Sequence, residues 1–199
     1  MFFRFFAKDK FEPITAELSQ LFEALGISKT KLKIRTQAAT YFKPYTHVVE
    51  GDLDGHRFVL SLRSSKLKSL ATKNELEFII HCKNPSWVTL NLLSKEQVTG
   101  NKTKLGMEVV SLSKFKHDNL VISCNQKEFV ENVFDDKLCQ KITPLSKTSF
   151  SNFQIERKRL YYKADWLPND SNKRQLLLDT ILLSISLIKQ IDNWEPISN

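Results

Sequence analysis

Val48-Val49-Glu50-Gly51-Asp52-Leu53-Asp54-Gly55-His56-Arg57-Phe58-Val59-Leu60 reads as a β-hairpin. Its centre is Asp54-Gly55, because a tight hairpin turn needs positive φ and this pair supplies it at little cost. The returning strand places Phe58, Leu60 and Leu62 on one face and Arg57, Ser61 and Arg63 on the other.

The pattern continues on both sides of the hairpin. Upstream, Lys29-Thr30-Lys31-Leu32-Lys33-Ile34-Arg35 alternates strictly, as a half-buried strand does. Earlier still, Phe11, Ile14, Leu18, Leu21, Phe22 and Leu25 recur at steps of three and four, which predicts a helix over 12–25. Pro13 suits its first turn and Gly26 its stop.

Downstream, Leu76, Phe78, Ile80 and Cys82 alternate with Glu75, Glu77 and His81 in a further strand. Val88, Leu90 and Leu92 mark another, and residues 94–106 read as a polar loop. Met107 to Leu112 and Leu120 to Cys124 complete this set. A middle helix is expected from Asn125, with Glu128 three residues on as a variant capping box. Its buried face is Phe129, Val133, Phe134, Leu138 and Ile142, and Pro144 ends it. Residues 150–163 are strand or a hairpin turning at Glu156–Arg159. A last helix starts near Asp170, a good cap residue, and runs to about Ile191.

This order lacks the strand–helix alternation of a doubly wound parallel sheet. It predicts an α+β fold: a mostly antiparallel sheet with an N-terminal helix, a middle helix and a long C-terminal helix packed on it. The chain has 199 residues, 41% of them apolar, and a mean hydropathy of −0.31, so one domain over 1–199 is expected.

The layout resembles an unnamed group of bacterial proteins of unknown function. The matching features are the Gly51-x-x-x-Gly55-His56-Arg57 hairpin, Asp118 opening the Leu120 to Cys124 strand that leads into a helix, and a closing strand pair followed by a long helix. His56 is a departure, since the group often has Arg directly after the Gly. The likeness spans about residues 46–191 and implies a bacterial-type cytoplasmic α+β domain, with no function or catalytic residue attached.

The ends and the cysteines bound the setting. Arg4 interrupts the aromatic run of Phe2, Phe3, Phe5 and Phe6, so no secretory signal is expected. That run reads as a segment docking on the core or as a partner-binding or interfacial segment. Leu176 to Ile188 is the most apolar stretch and is too short to span a bilayer. Cys82, Cys124 and Cys139 are an odd number without a Cys-x-x-Cys pair, as in a reduced, cytoplasmic protein.

Charge is uneven. Residues 28–49 and 56–74 hold ten of the 30 basic residues and none of the 22 acidic ones, so they account for the whole surplus behind the net charge of +8. Alternation turns Lys31, Lys33 and Arg35 outward together, and likewise Arg57 and Arg63. The candidate anion- or nucleic-acid-binding residues are therefore Lys29, Lys31, Lys33, Arg35, Arg57, Arg63, Lys66 and Lys68. Tyr41, Phe42 and Tyr45 lie between them and offer rings for stacking on bases. The plain alternative is a solvated face, which antiparallel sheets commonly have.

Other constellations carry less. Glu50, Asp52, Asp54 and His56 alternate along the hairpin but lack the further ligands of a calcium loop, so they read as a turn. Lys116-His117-Asp118 puts His and Asp on opposite strand faces. Gly100-Asn101-Lys102-Thr103 resembles a phosphate loop but has neither of its required glycines. No catalytic residue, metal or cofactor is predicted, and an enzyme ranks third. The leading expectation is a non-catalytic binding or adaptor module, partnered by a protein or a polyanion. The alternative is sequence-tolerant nucleic-acid binding through the basic sheet face.

Overall fold

The computed structural model describes residues 12–37, 45–66, 72–94, 106–110, 120–146, 150 and 152–196. Among these residues the fold is α+β, with nine strands in a large antiparallel sheet and four α-helices. Contacts group the chain into two compact units. The first comprises Met1–Ile79 and Ala164–Leu178, the second Ile80–Lys163 and Asp179–Asn199.

In the first unit, α1 (Glu12–Ala24) ends as its sequence requires. Gly26 takes φ +77, and Ile27 N–H reaches back to the Phe22 carbonyl at 2.9 Å, closing a Schellman-type stop. The next segment departs from expectation. Lys29–Lys31 is a 3₁₀ turn, and β1 covers only Lys33–Gln37. The Lys31 N–H donates to the Ser28 carbonyl, and the Ser28 and Thr30 hydroxyls bond at 2.8 Å, so local bonds hold this stretch out of the strand.

The hairpin forms as read. Strands β2 (Tyr45–Leu53) and β3 (His56–Lys66) pair from Tyr45↔Ser64 to Leu53↔His56. Asp54 and Gly55 both have positive φ, and the Gly55 N–H donates to Asp52 Oδ1 at 2.9 Å. The strand order is β1-β2-β3-β4, with β4 at Thr72–His81. Phe58, Leu60, Leu62, Leu76 and Phe78 are fully buried. Phe58 stacks on Phe22 at 5.2 Å and meets Phe78 at 6.1 Å. Each such ring removed from water contributes on the order of 2 kcal/mol. Gly51 lies opposite Phe58, and a Cβ there would come within 2.8 Å of that ring and 2.9 Å of Leu32. The position leaves no room for a side chain.

In the second unit the order is β9-β8-β5-β7-β6. These are β5 (Leu90–Ser94), β6 (Glu108–Val110), β7 (Leu120–Cys124), β8 (Asn152–Glu156) and β9 (Arg159–Ala164). Residues 152–164 are thus the hairpin alternative. The middle helix is two helices: α2 (Lys127–Val133) and α3 (Asp136–Ser146). Asp135 makes the break, because its Oδ1 accepts the Leu138 N–H at 2.8 Å and caps α3. Pro144 lies inside α3 rather than after it. Gln126, not Asn125, precedes α2, and it makes no side-chain cap.

The last helix, α4 (Ser171–Asp192), starts at its expected cap: Asp170 Oδ1 accepts the Lys173 N–H at 2.8 Å. That bond lowers the Asp170 pKa. The helix buries Leu176, Leu177, Ile181, Leu183, Leu187, Ile188 and Ile191. Cys82, Cys124 and Cys139 are buried and not in disulfides. Burial, with Asp192 nearby, pushes the Cys82 thiol up to about 12. Among the described residues no helix is long and apolar enough to cross a membrane.

Candidate functional site

The expected basic face assembles in part. Register aligns Lys33 with Glu50, Arg35 with Val48, Thr46 with Arg63 and Asp52 with Arg57. Directly paired residues share a face, so Lys33, Arg35, Arg57 and Arg63 do lie on one side of the sheet. Lys31 and Lys29 belong instead to the 3₁₀ turn. Lys66 is the last residue of β3, and Lys68, Tyr41 and Phe42 lie outside the described residues.

Acidic side chains share that face. Glu50 pairs with both Arg35 and Arg57, the latter at 3.2 Å. Arg63 reaches Glu75 at 3.4 Å and Glu77 at 3.7 Å. All three arginines therefore already have carboxylate partners. The two acid-free stretches of sequence meet acids from just beyond their ends. Tyr45 is buried on the opposite, core-facing side, where burial raises its pKa, so its ring is not offered for stacking. The hairpin acids likewise have local work, with Glu50 in its ion pairs and Asp52 in the turn.

Beneath this face His47 is buried. Its Nδ1 bonds Thr36 Oγ1 at 2.9 Å, and its Nε2 has no partner among the described residues. Burial lowers its pKa below the ordinary value.

The second unit holds a candidate site that alternation and charge counting do not reveal. Loop 82–89 joins β4 to β5 and exposes Trp87, which is 62% accessible. Trp87 takes φ +53 and Asn84 φ +44. Bulky side chains avoid that region, and such strain persists only where the surroundings over-determine it.

Here they do. Asn84 is 2% exposed; its Oδ1 accepts the Val88 N–H at 2.9 Å, and its Nδ2 donates to the carbonyls of Val88 and Arg157. Asp192, ending α4, accepts the N–H groups of Lys83 at 2.8 Å and Asn84 at 3.1 Å through one oxygen. Asn125 accepts the Thr89 N–H at 2.7 Å and donates to the Trp87 carbonyl at 3.0 Å. That is why Asn125 does not cap α2. Gln126 donates to the Ser86 carbonyl and accepts from Trp194 Nε1 at 2.9 Å, while Ser86 donates to the Trp194 carbonyl. Trp194 in turn sits edge-on to Phe129.

The Asn84 bond also ties this loop to the β8–β9 turn, Arg157-Lys158. The Cys82 N–H donates to the Lys158 carbonyl at 3.0 Å. Arg157 has φ +56, where two-residue hairpins ordinarily place Gly or Asn. Lys83, Arg157, Lys158 and Arg159 are all exposed. In sequence the available signal was a Gly-free Asn84-Pro85-Ser86-Trp87 turn and a Gly-free Arg157-Lys158 turn.

Residues 116–118, 100–103 and the N-terminal phenylalanines lie outside the described residues. Among the described residues no group of three or more His, Cys, Asp or Glu is placed to hold a metal ion.

No protein-family model matches the chain. No curated protein matches it either. Among solved structures, the crystal structure of the mycobacterial trehalose monomycolate transport factor A, TtfA, is similar with a TM-score of 0.48 and 11% identity, covering 94% of this chain and 99% of that one. A likeness at that level carries no argument about what this chain does.

Proposed function

We propose that the protein is a non-catalytic binding or adaptor module whose working surface is the loop carrying Trp87. One observation carries the reading. A large aromatic side chain is held in solvent, at a backbone conformation suited to Gly, by hydrogen bonds from α4, the α2 entry and the β8–β9 turn. Exposed Trp contributes nothing to a core, while Trp is among the side chains enriched at the energetic centres of interfaces. A rigid loop also presents its anchor with little entropy left to lose on binding.

The test replaces Trp87 by a photo-crosslinking phenylalanine analogue in cells producing the protein. A discrete adduct from position 87, absent when the analogue stands at the exposed Val109, is expected. The same adducts, protein or lipid, from both positions, or none of either kind, would overturn the reading.

A second reading keeps the sheet face as a polyanion or nucleic-acid site through Lys33, Arg35, Arg57 and Arg63. Their shared face supports it. Glu50, Glu75 and Glu77 weigh against it, because a phosphate would have to displace carboxylates already in place.

A further inference from the structure

We infer that the Trp87 loop and the Arg157-Lys158 turn together dock on an anionic lipid bilayer. This rests on the binding reading above and names the partner class of the same site. The two segments are joined through Asn84, which bonds the carbonyls of Val88 and Arg157 with one amide group. Three of the four non-glycine residues with positive φ among the described residues are Asn84, Trp87 and Arg157. Asn84 has an internal reason for its conformation, since its side chain is buried in the network. Trp87 and Arg157 are exposed, and each occupies a position where Gly would relieve the backbone.

The chemistry they present is interfacial. Trp partitions to the boundary between headgroups and acyl chains, and Lys or Arg beside it meets anionic headgroups. Lys83, Arg157, Lys158 and Arg159 supply four exposed positive charges on the loop that carries Trp87 and on the hairpin bonded to it through Asn84. The nearby acids are Glu156, paired in register with Arg159, and Asp192, whose Oδ1 is engaged by two backbone N–H groups. Glu128, Glu131 and Glu195 lie on α2 and beyond α4, Glu131 in an ion pair with Lys127.

The site consists of a loop and a turn at strand ends. A single-stranded nucleic acid needs a track of basic groups with several stacking rings. One exposed ring on a loop, with cations on that loop and on the hairpin turn bonded to it, fits a planar charged surface instead.

The experiment is co-sedimentation of the full chain with two kinds of vesicle, phosphatidylcholine alone and equal parts phosphatidylcholine and phosphatidylglycerol. Oligouridylate is tested in parallel by anisotropy. Binding to the anionic vesicles only is expected, with a blue shift in tryptophan emission. Arg157→Gly and Lys158→Gln should each lower the partition coefficient about 5-fold. Trp87→Gly should lower it further and abolish the blue shift. Each variant's thermal melt is recorded, and Arg157→Gly and Trp87→Gly are chosen because Gly suits both backbones.

No binding to anionic vesicles overturns the inference, as does binding that these variants leave unchanged. Oligouridylate binding without vesicle binding also overturns it. If vesicles fail while position 87 still yields a specific protein adduct, lipid docking falls and the binding module stands.

Discussion

The sheet face of the first unit and the Trp87 loop of the second are both rich in positive charge, but their structures explain that charge differently. On the sheet face each arginine meets a glutamate, and among the described residues of those strands and their turn positive φ falls at Asp54 and Gly55, where a hairpin turn requires it. At the loop, Trp87 and Arg157 adopt conformations their side chains disfavour, and a hydrogen-bonded network holds at least the first in place. Charge counted along a sequence locates the first region. Backbone strain paired with exposure distinguishes the second.

The largest expected effect breaks the loop. Asn84→Ala removes three hydrogen bonds, leaves buried partners unpaired and puts Ala at φ +44. The loss should be about 3–4 kcal/mol, measured by chemical denaturation. Amide exchange in residues 83–89 should quicken more than anywhere in the first unit.

A comparable disruption of the other region comes from Gly51→Ala. The new methyl meets Phe58 and Leu32 inside normal contact distance. Overpacking of this kind costs about 1–3 kcal/mol, and the same denaturation series reads it. The Trp87 environment should be unaffected.

Next comes a pH effect confined to the first unit. Burial lowers the His47 pKa from its ordinary 6.5. Above that value the folded and unfolded chains are both neutral at this site, and stability is full. As pH falls below it, the unfolded chain takes up a proton that the folded one refuses, so stability declines until the lower folded value is reached. His47→Gln should flatten that part of the stability–pH curve, measured by denaturation from neutral to mildly acidic pH.

The smallest effect sharpens the contrast. Glu50→Gln loosens ion pairs whose arginines are mostly in solvent, 71% and 68% exposed, so stability should change by less than about 1 kcal/mol. If the sheet face were a masked polyanion site, the same variant would gain salt-sensitive affinity for oligouridylate. Little gain is expected.

The sequence made much of the fold legible because local chemistry decided it. Asp54-Gly55 fixed a turn, Gly26 and Asp170 fixed helix ends, and Phe58, Leu60 and Leu62 kept strict alternation. The middle helix misled because Phe129, Phe134, Leu138 and Ile142 keep a near-helical spacing across the break. The deciding group was Asp135, a cap for Leu138 hidden within an apolar series. Lys29 and Lys31 alternate with their neighbours, yet a turn held by Ser28 and Thr30 removes them from the strand.

The site was less legible for a different reason. Charge windows ended just short of Glu50 and Glu75, whose positions opposite the arginines depend on register. The Trp87 network joins segments from Asn84 to Trp194, a separation that no local pattern reports.

The most direct test of the central claim is the stability of Trp87→Gly. If Trp87 is retained for binding rather than folding, Gly at φ +53 relieves strain, and the variant should be as stable as the parent or more stable by about 1 kcal/mol. A loss well beyond about 1 kcal/mol would make Trp87 a structural residue and contradict the account.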